Sequence, residues 1–362
     1  MRRTLALHSV GTAAVLAAWS VTELAVVRRA DLSEKNLLTL VLGVWTLSYL
    51  VGFHTGQKLT RKPGLWRLPY LLTSLMLAIA ALITGSSDTL PYLTLAYAAA
   101  SLAMGIYTST STSVVFNTLS YEQWNHAAAT LRGLAGLIYG VFLLLIIYYT
   151  PSSIPHIVSS LGLSIAGIIV LAVAASVRLP AVPETLLRQL DMAVDGMAFG
   201  SSGEPLQGRV VGSVALLVGV GVLARILTVR RALTYLDPGE VLTLYATLYL
   251  LGSLLGIRRP SPGLAALGAL LMVSLMAATA NPIVEVVVCL LYSSYIETAL
   301  ISYVLSVSPL QLSQATATAA LALALSAVLL FAALAVGLMP EHVFLALSLI
   351  ALITQYRRPS WY

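Results

Sequence analysis

The sequence predicts an all-α integral membrane protein of twelve transmembrane helices, arranged as two pseudo-symmetric six-helix bundles. Three features predict it: an apolar composition, a series of apolar runs of spanning length, and an internal repeat at an offset near 200 residues. Of the 362 residues, 59% are hydrophobic and 9% charged, whereas an ordinary soluble domain carries about 25% charged residues. No soluble core could hide so much apolar surface.

A helix needs about 20 apolar residues to cross the hydrocarbon core, and in lipid every backbone polar group must bond internally, so such runs are helical by default. The runs are 4–27, 36–55, 68–85, 90–116, 127–149, 153–177, 209–229, 239–257, 262–280, 283–306, 313–338 and 341–356. Turn chemistry separates most of them, as at Gly85-Ser86-Ser87-Asp88, Asp237-Pro238-Gly239 and Asn281-Pro282. The junction between the ninth and tenth runs is the tightest, so ten or eleven spans are the alternative counts. The first run follows Met1-Arg2-Arg3 and is longer than the 7–15 apolar residues of a signal peptide, so it is expected to be an uncleaved span.

The longest interruption divides the spans six and six. The expected division is a bundle at 1–177, a cytoplasmic linker at 178–208 and a second bundle at 209–362. Within the linker, Leu186, Leu187, Leu190, Val194 and Met197 recur at helical spacing between charged residues, as in an amphipathic surface helix. Phe199 to Pro205 then reads as a flexible tether.

The basic residues set the orientation. With the N-terminus inside, 14 of the 20 Lys and Arg fall in cytoplasmic segments, five in outer ones (Arg28, Arg29, Lys35, Arg230, Arg231), and Arg225 within a span. Both termini are therefore expected in the cytoplasm of a cell-membrane protein. Because these residues are scattered between apolar runs instead of forming one stripe, no nucleic-acid partner is expected.

Blocks of the first half recur in the second. Val27-Arg28-Arg29-Ala30 returns as Val229-Arg230-Arg231-Ala232 at an offset of 202, and Tyr49-Leu50-Val51-Gly52 with Gly56 as Tyr249-Leu250-Leu251-Gly252 with Gly256 at 200. Pro63-Gly64-Leu65 returns at 199 and Ser74-Leu75-Met76 at 200. Four blocks in order at nearly constant offset indicate duplication. An even number of intervening helices gives the copies the same orientation, a parallel repeat about an axis along the membrane normal.

In topology the chain resembles the major facilitator superfamily over nearly its whole length. Between the second and third spans that superfamily carries Gly, three residues, an acid, Arg, any residue, Gly and two basic residues. Here Gly56-Gln57-Lys58-Leu59-Thr60-Arg61-Lys62-Pro63 matches at Gly56 and Arg61 and departs at Thr60 and Pro63. The resemblance implies a secondary transporter that moves a small solute by alternating access, with protons as a candidate coupling ion. It also implies close packing at Gly56, an anionic partner for Arg61, and a central cavity lined by spans 1, 4, 7 and 10. Other readings are a permease subunit of another carrier class, partnered with a separate ATPase, and a membrane protein that transports nothing.

Ionisable groups inside spans are few, and each needs a partner or a cavity. Glu23, Arg225, Glu285 and Glu297 all fall on spans of that cavity-lining set. Glu23, Arg225 and Glu285 lie within about two turns of the outer end. The expectation is an ion pair from Arg225 to Glu23 or Glu285 that closes the outer side; the alternative is that each snorkels to the interface. Glu297 lies roughly 22 Å into its span and is the candidate for proton or substrate coupling. Ser293 sits one turn before it, and Tyr292 and, at an offset of 185, Tyr107 and Thr112 complete two facing polar belts. The alternative is that the hydroxyls bond back to their own helices and Glu297 bonds a neighbouring helix. Gly133, Gly136 and Gly140 in the fifth span provide small surfaces for close helix contact.

No catalytic group stands out, so the chain is not expected to be an enzyme. There is no P-loop and no GxSxG, and loops outside the linker are too short to house a donor site. His8, His54, His126, His156 and His342 lack metal-ligand spacing, and Cys289 has no second thiol. No cofactor or metal is expected, and the protein is expected to be a monomer.

Overall fold

The computed structural model describes residues 2–30, 32–60, 64–117, 124–149, 155–177, 205–258, 262–278, 282–307, 336–338 and 340–356. They form eleven helices, with no strand among the described residues. In chain order these are α1 (Arg2–Arg29), α2 (Glu34–Thr60), α3 (Leu68–Ser86), α4 (Leu90–Asn117), α5 (Trp124–Tyr149) and α6 (Pro155–Ser176). The second series is α7 (Pro205–Ala232), α8 (Pro238–Arg258), α9 (Pro262–Ala278), α10 (Pro282–Val307) and α11 (Pro340–Tyr356). Ten expected spans map onto α1 to α10 and the twelfth onto α11; the run at 313–338 lies, apart from its last residues, outside the described residues. The amphipathic segment of the linker lies outside them too. Helix α7 begins at Pro205, before the expected end of the linker, because proline fits the first turn of a helix, where no backbone donor is needed.

Helix packing repeats between the halves. In the first, α1 lies against α4, α5 and α6, α2 against α4, and α3 against α4 and α6. In the second, α7 lies against α10 and α11, α8 against α10, and α9 against α10 and α11. With α11 as sixth of its half, five pairings recur one for one. The counterpart of the sixth, α1 with α5, falls on the eleventh run. The halves meet where α5 touches α8 and α10 and where α1 and α2 touch α7.

Two kinds of surface explain why the chain needs a bilayer. Leu71, Leu75, Ile79 and Leu82 on α3, and Ile157, Leu161, Ile165 and Ile168 on α6, are exposed at helical spacing. Apolar stripes of that length are stable only against lipid. Among the described residues, Arg3–Arg29, Leu68–Ser86, Leu90–Ser111 and His156–Ser176 are long and apolar enough to span, and shorter apolar stretches occupy Leu134–Leu145, Ile283–Ser293 and Glu341–Ala351. The inner surfaces are made of small residues. Helix α1 buries Ala13, Ala14, Ala17, Ala18 and Ala25, so its neighbours approach it closely.

Glycines set the α2–α4 contact. A side chain at Gly52 would run into the Leu102 carbonyl, one at Gly56 into Ser109 and the Ile106 carbonyl, and one at Gly105 into the Tyr49 carbonyl. Because these obstacles are largely backbone, the helices must separate to admit a larger residue. Gly52→Val is expected to destabilise the protein by about 1–3 kcal/mol, read as a lower unfolding midpoint in detergent; an unchanged midpoint would show that the contact is looser than described.

Candidate functional site

A buried ion pair joins the halves through α1 and α7. Six residues before the end of α1, Glu23 meets Arg225, seven residues before the end of α7. One guanidinium nitrogen of Arg225, Nη2, donates to both carboxylate oxygens, Oε1 at 2.9 Å and Oε2 at 3.1 Å. Both side chains are buried, at 1% exposure for Arg225 and 10% for Glu23. Charges at such depth persist only when paired and hydrogen-bonded, and the surroundings supply the bonds. Tyr97 on α4 donates to Glu23 Oε2 at 2.9 Å, and Arg225 Nη1 donates to the Tyr245 hydroxyl on α8 at 2.9 Å.

Aromatic rings enclose the guanidinium. Its carbon lies 5.2 Å from the ring centre of Trp19 and 5.9 Å from that of Tyr245, within cation–π range. Trp19 is held by its indole N–H, which donates to Ser101 at 3.0 Å, and by stacking on Tyr97 at 5.8 Å. Trp45 and Tyr49 of α2 pack at 5.7 Å, and Tyr245 and Tyr249 of α8, at the repeat offset of 200, pack at 5.9 Å. Tyr139 on α5 packs against Tyr249 with its ring tilted, centroids 4.3 Å apart, and donates to Ser20 at 2.9 Å. Aromatic pairs thus line both sides of the ion pair. Removing the Tyr97 hydroxyl deprives the carboxylate of a charge-assisted bond. Tyr97→Phe is therefore expected to cost about 1.5–3 kcal/mol, measured by unfolding in detergent; a loss near zero would show that the bond contributes nothing net.

Glu285 does not share Arg225. It pairs with Arg231 at 3.0 Å, and Glu341 on α11 pairs with the same nitrogen at 3.1 Å, so this cluster ties α7, α10 and α11 within the second half. The cause is helical geometry: Arg231 follows Arg225 by six residues, a rotation of roughly 240° about α7, which turns it away from α1. Arg230 takes a third course, donating to the Val27 carbonyl of α1 at 3.2 Å. Arg230 and Arg231 are therefore both bonded within the protein. In the first half, Arg29 has only a long, exposed contact with Asp88 at 3.9 Å, a geometry of little energetic consequence.

The expected polar belts do not face one another through Tyr107 and Tyr292. Tyr107 points into the first half, packing over Gly11, edge-on to Tyr70 at 6.0 Å, and donating weakly to the His8 carbonyl at 3.4 Å. Tyr292 packs on Gly268 of α9, within the second half. A large ring beside a glycine notch fills space that small residues leave open, and that packing decides where each ring turns. Ser293 is buried with its backbone beside Gly221 of α7. Gly56 lies in the α2–α4 contact described above. Thr112 and Glu297 lie on α4 and α10, but their side chains, like all of Arg61, fall outside the described residues. Among the described residues no three His, Cys, Asp or Glu side chains come together as a metal site would require.

Sequence reasoning missed Trp19, Tyr97, Tyr139, Tyr245 and Glu341. Tyr249 belongs to a repeated block, so the aromatic pair on α8 had a signal. Tyr97 had none, because one tyrosine in an apolar span does not show what it bonds.

No protein-family model matches the sequence, and no curated protein is significantly similar to it. Solved structures do match over nearly the full length. The crystal structure of the human organic anion transporter MFSD10 (TETRAN) aligns at a TM-score of 0.65 with 15% identity, covering 98% of both chains. This chain has the major facilitator fold. FucP, a major facilitator superfamily transporter captured in the outward conformation, aligns at 0.63 with 16% identity over 98% of this chain and 99% of its own. The Escherichia coli xylose transporter XylE, in a partially occluded inward-open conformation, aligns at 0.62 with 12% identity over 98% and 96%. The major facilitator fold accounts for the multi-pass membrane architecture and for the recurrence of helix pairings between the two six-helix bundles.

Proposed function

We propose that this protein is a secondary transporter that moves a small solute by alternating access, its two six-helix halves rocking against one another, and that it carries out no enzymatic reaction. The observation that carries this reading is the buried Glu23–Arg225 pair. Among the described ion pairs it is the one that joins the halves, and together with the Arg230 bond to the Val27 carbonyl it latches an interface that can open without unfolding either bundle. Membership of the fold supports the same reading, since the solved structures that share it include a fucose:proton symporter, a xylose transporter and an organic anion transporter. With the N-terminus in the cytoplasm, the latch lies toward the outer side and closes it. Residues 1–177 and 209–362 form the moving halves and 178–208 the cytoplasmic connection. Glu297, with Ser293 and Thr112 near it by depth, is a second candidate for solute or proton coupling.

Reconstitution into liposomes tests this directly. Time-dependent, saturable accumulation of a solute, compared with and without an imposed proton gradient and absent from empty liposomes, is the expected result. If Glu297→Gln accumulates solute at the wild-type rate under the gradient, Glu297 has no coupling role.

A further inference from the structure

We infer that Arg225 and Glu23 form a linked binding site for one proton and one small carboxylate anion, the solute's carboxylate taking the place of the Glu23 carboxylate on Arg225. The inference rests on the transporter reading and names its substrate class. The argument begins with charge. The buried pair is neutral overall, and its two members differ in what they can do: a guanidinium does not lose its proton in a protein, whereas a carboxyl group can gain one. A proton taken up from water onto a Glu23 oxygen forms an O–H bond, breaks the charge pairing and leaves the cation of Arg225 uncompensated. A monovalent anion then restores neutrality. A cation has no corresponding route, because it would have to expel Arg225 from between α1, α4 and α8. A neutral solute gains nothing from Arg225 once Glu23 is bound to it.

Geometry narrows the class. Arg225 already holds a carboxylate, donating from Nη2 to its two oxygens at 2.9 and 3.1 Å, so a guanidinium donor is matched to that group at this position. The hydroxyl of Tyr97, now donating to Glu23 at 2.9 Å, lies within the same shell. Trp19 and Tyr245 flank the guanidinium, and Trp45 and Tyr249 lie behind them, so the body of the anion meets aromatic faces. A monocarboxylate with an apolar or aromatic body fits this wall and this charge; a dianion would exceed the single positive charge that protonation releases.

Among the described residues, the titratable groups that reach Glu23 include Arg225 on α7, Tyr97 on α4, Tyr139 on α5 through Ser20, and Tyr245 on α8 through Arg225. Arg230 reaches α1 at the Val27 carbonyl, and Glu285 and Glu341 are held by Arg231. Glu23 is the one carboxyl in this set that pairs across the halves, so it is the group whose protonation releases the latch. Binding of proton and anion is then coupled, because either one alone leaves an unbalanced buried charge.

The test uses the full-length protein in detergent and in liposomes, with benzoate as the anionic probe, xylose as the neutral one and tetraethylammonium as the cationic one. Calorimetric titration of the wild type between about pH 6 and pH 8 is expected to show benzoate affinity falling by about tenfold per pH unit, the slope of one proton per anion. Glu23→Gln is expected to bind benzoate with no such slope, and Arg225→Gln to lose binding. The charge-neutral double variant Glu23→Gln with Arg225→Gln controls for folding, and it is expected to be monodisperse and blind to benzoate. A slope of zero in the wild type, or a slope that survives in Glu23→Gln, overturns the inference. Accumulation of xylose or tetraethylammonium without benzoate binding also overturns it while the transporter reading stands; if none of the three probes binds, the inference is overturned, and the transporter reading is decided by the liposome accumulation assay.

Discussion

Arg225→Ala is expected to lower stability by about 3–5 kcal/mol, among the largest losses a single substitution in this protein can produce. The side chain is 1% exposed and its removal leaves the Glu23 carboxylate buried with Tyr97 as its described remaining donor. The same substitution takes a cation from between Trp19 and Tyr245, so the aromatic wall loses its centre. Glu23→Gln is expected to cost a comparable amount, because the amide oxygen still accepts a hydrogen bond but the buried Arg225 cation loses the Glu23 charge. The double variant Glu23→Gln with Arg225→Ala should lose less than the two single losses added together, since removing both charges leaves neither one stranded. Unfolding midpoints of all the variants in detergent give this cycle. Additive losses would show that the pair is not coupled and that its position between the halves is incidental.

Gly140→Leu is expected to have the larger effect on turnover. A side chain at Gly140 of α5 would run into Leu250 and press on the Ala246 carbonyl of α8, so it acts as a wedge between the halves and not within one of them. Overpacking of about 1–3 kcal/mol, applied to the conformer in which α5 and α8 touch, shifts the balance between conformers by roughly five- to 150-fold. Solute accumulation by reconstituted protein should fall by a comparable factor, while the unfolding midpoint, set by packing inside each half, should move much less. Gly140→Ala introduces a smaller wedge and should lie between. If Gly140→Leu accumulates solute at the wild-type rate, the α5–α8 contact does not close and open during transport.

The Glu23–Arg225 pair shows how far sequence reasoning reached. Both residues stood out because charge is rare in apolar spans, and their similar depth near one end of their spans suggested that they meet. The alternative partner, Glu285, could not be separated from Glu23 by depth alone. The separation came from rotation about α7, which sends Arg231 and not Arg225 toward α10. Tyr107 and Tyr292 illustrate the opposite outcome. Their matching positions in the repeat were legible, yet each turns into a glycine notch of its own half, at Gly11 and at Gly268, so equivalence did not bring them face to face.

By itself the sequence determined that the chain lives in a bilayer, how many apolar runs it has, and that its second half repeats the first. These follow from composition and one-dimensional spacing, because lipid forces apolar runs into helices and duplication leaves Gly, Pro and Arg in register. Tertiary structure alone decided which face of each helix meets which neighbour. That choice selected Glu23 over Glu285 for Arg225, drew Tyr97 and Tyr245 to the pair, and gave Glu341 to Arg231. A side chain's direction on a helix turns by about 100° per residue, and what waits in that direction is set by the packing of residues far away in the chain.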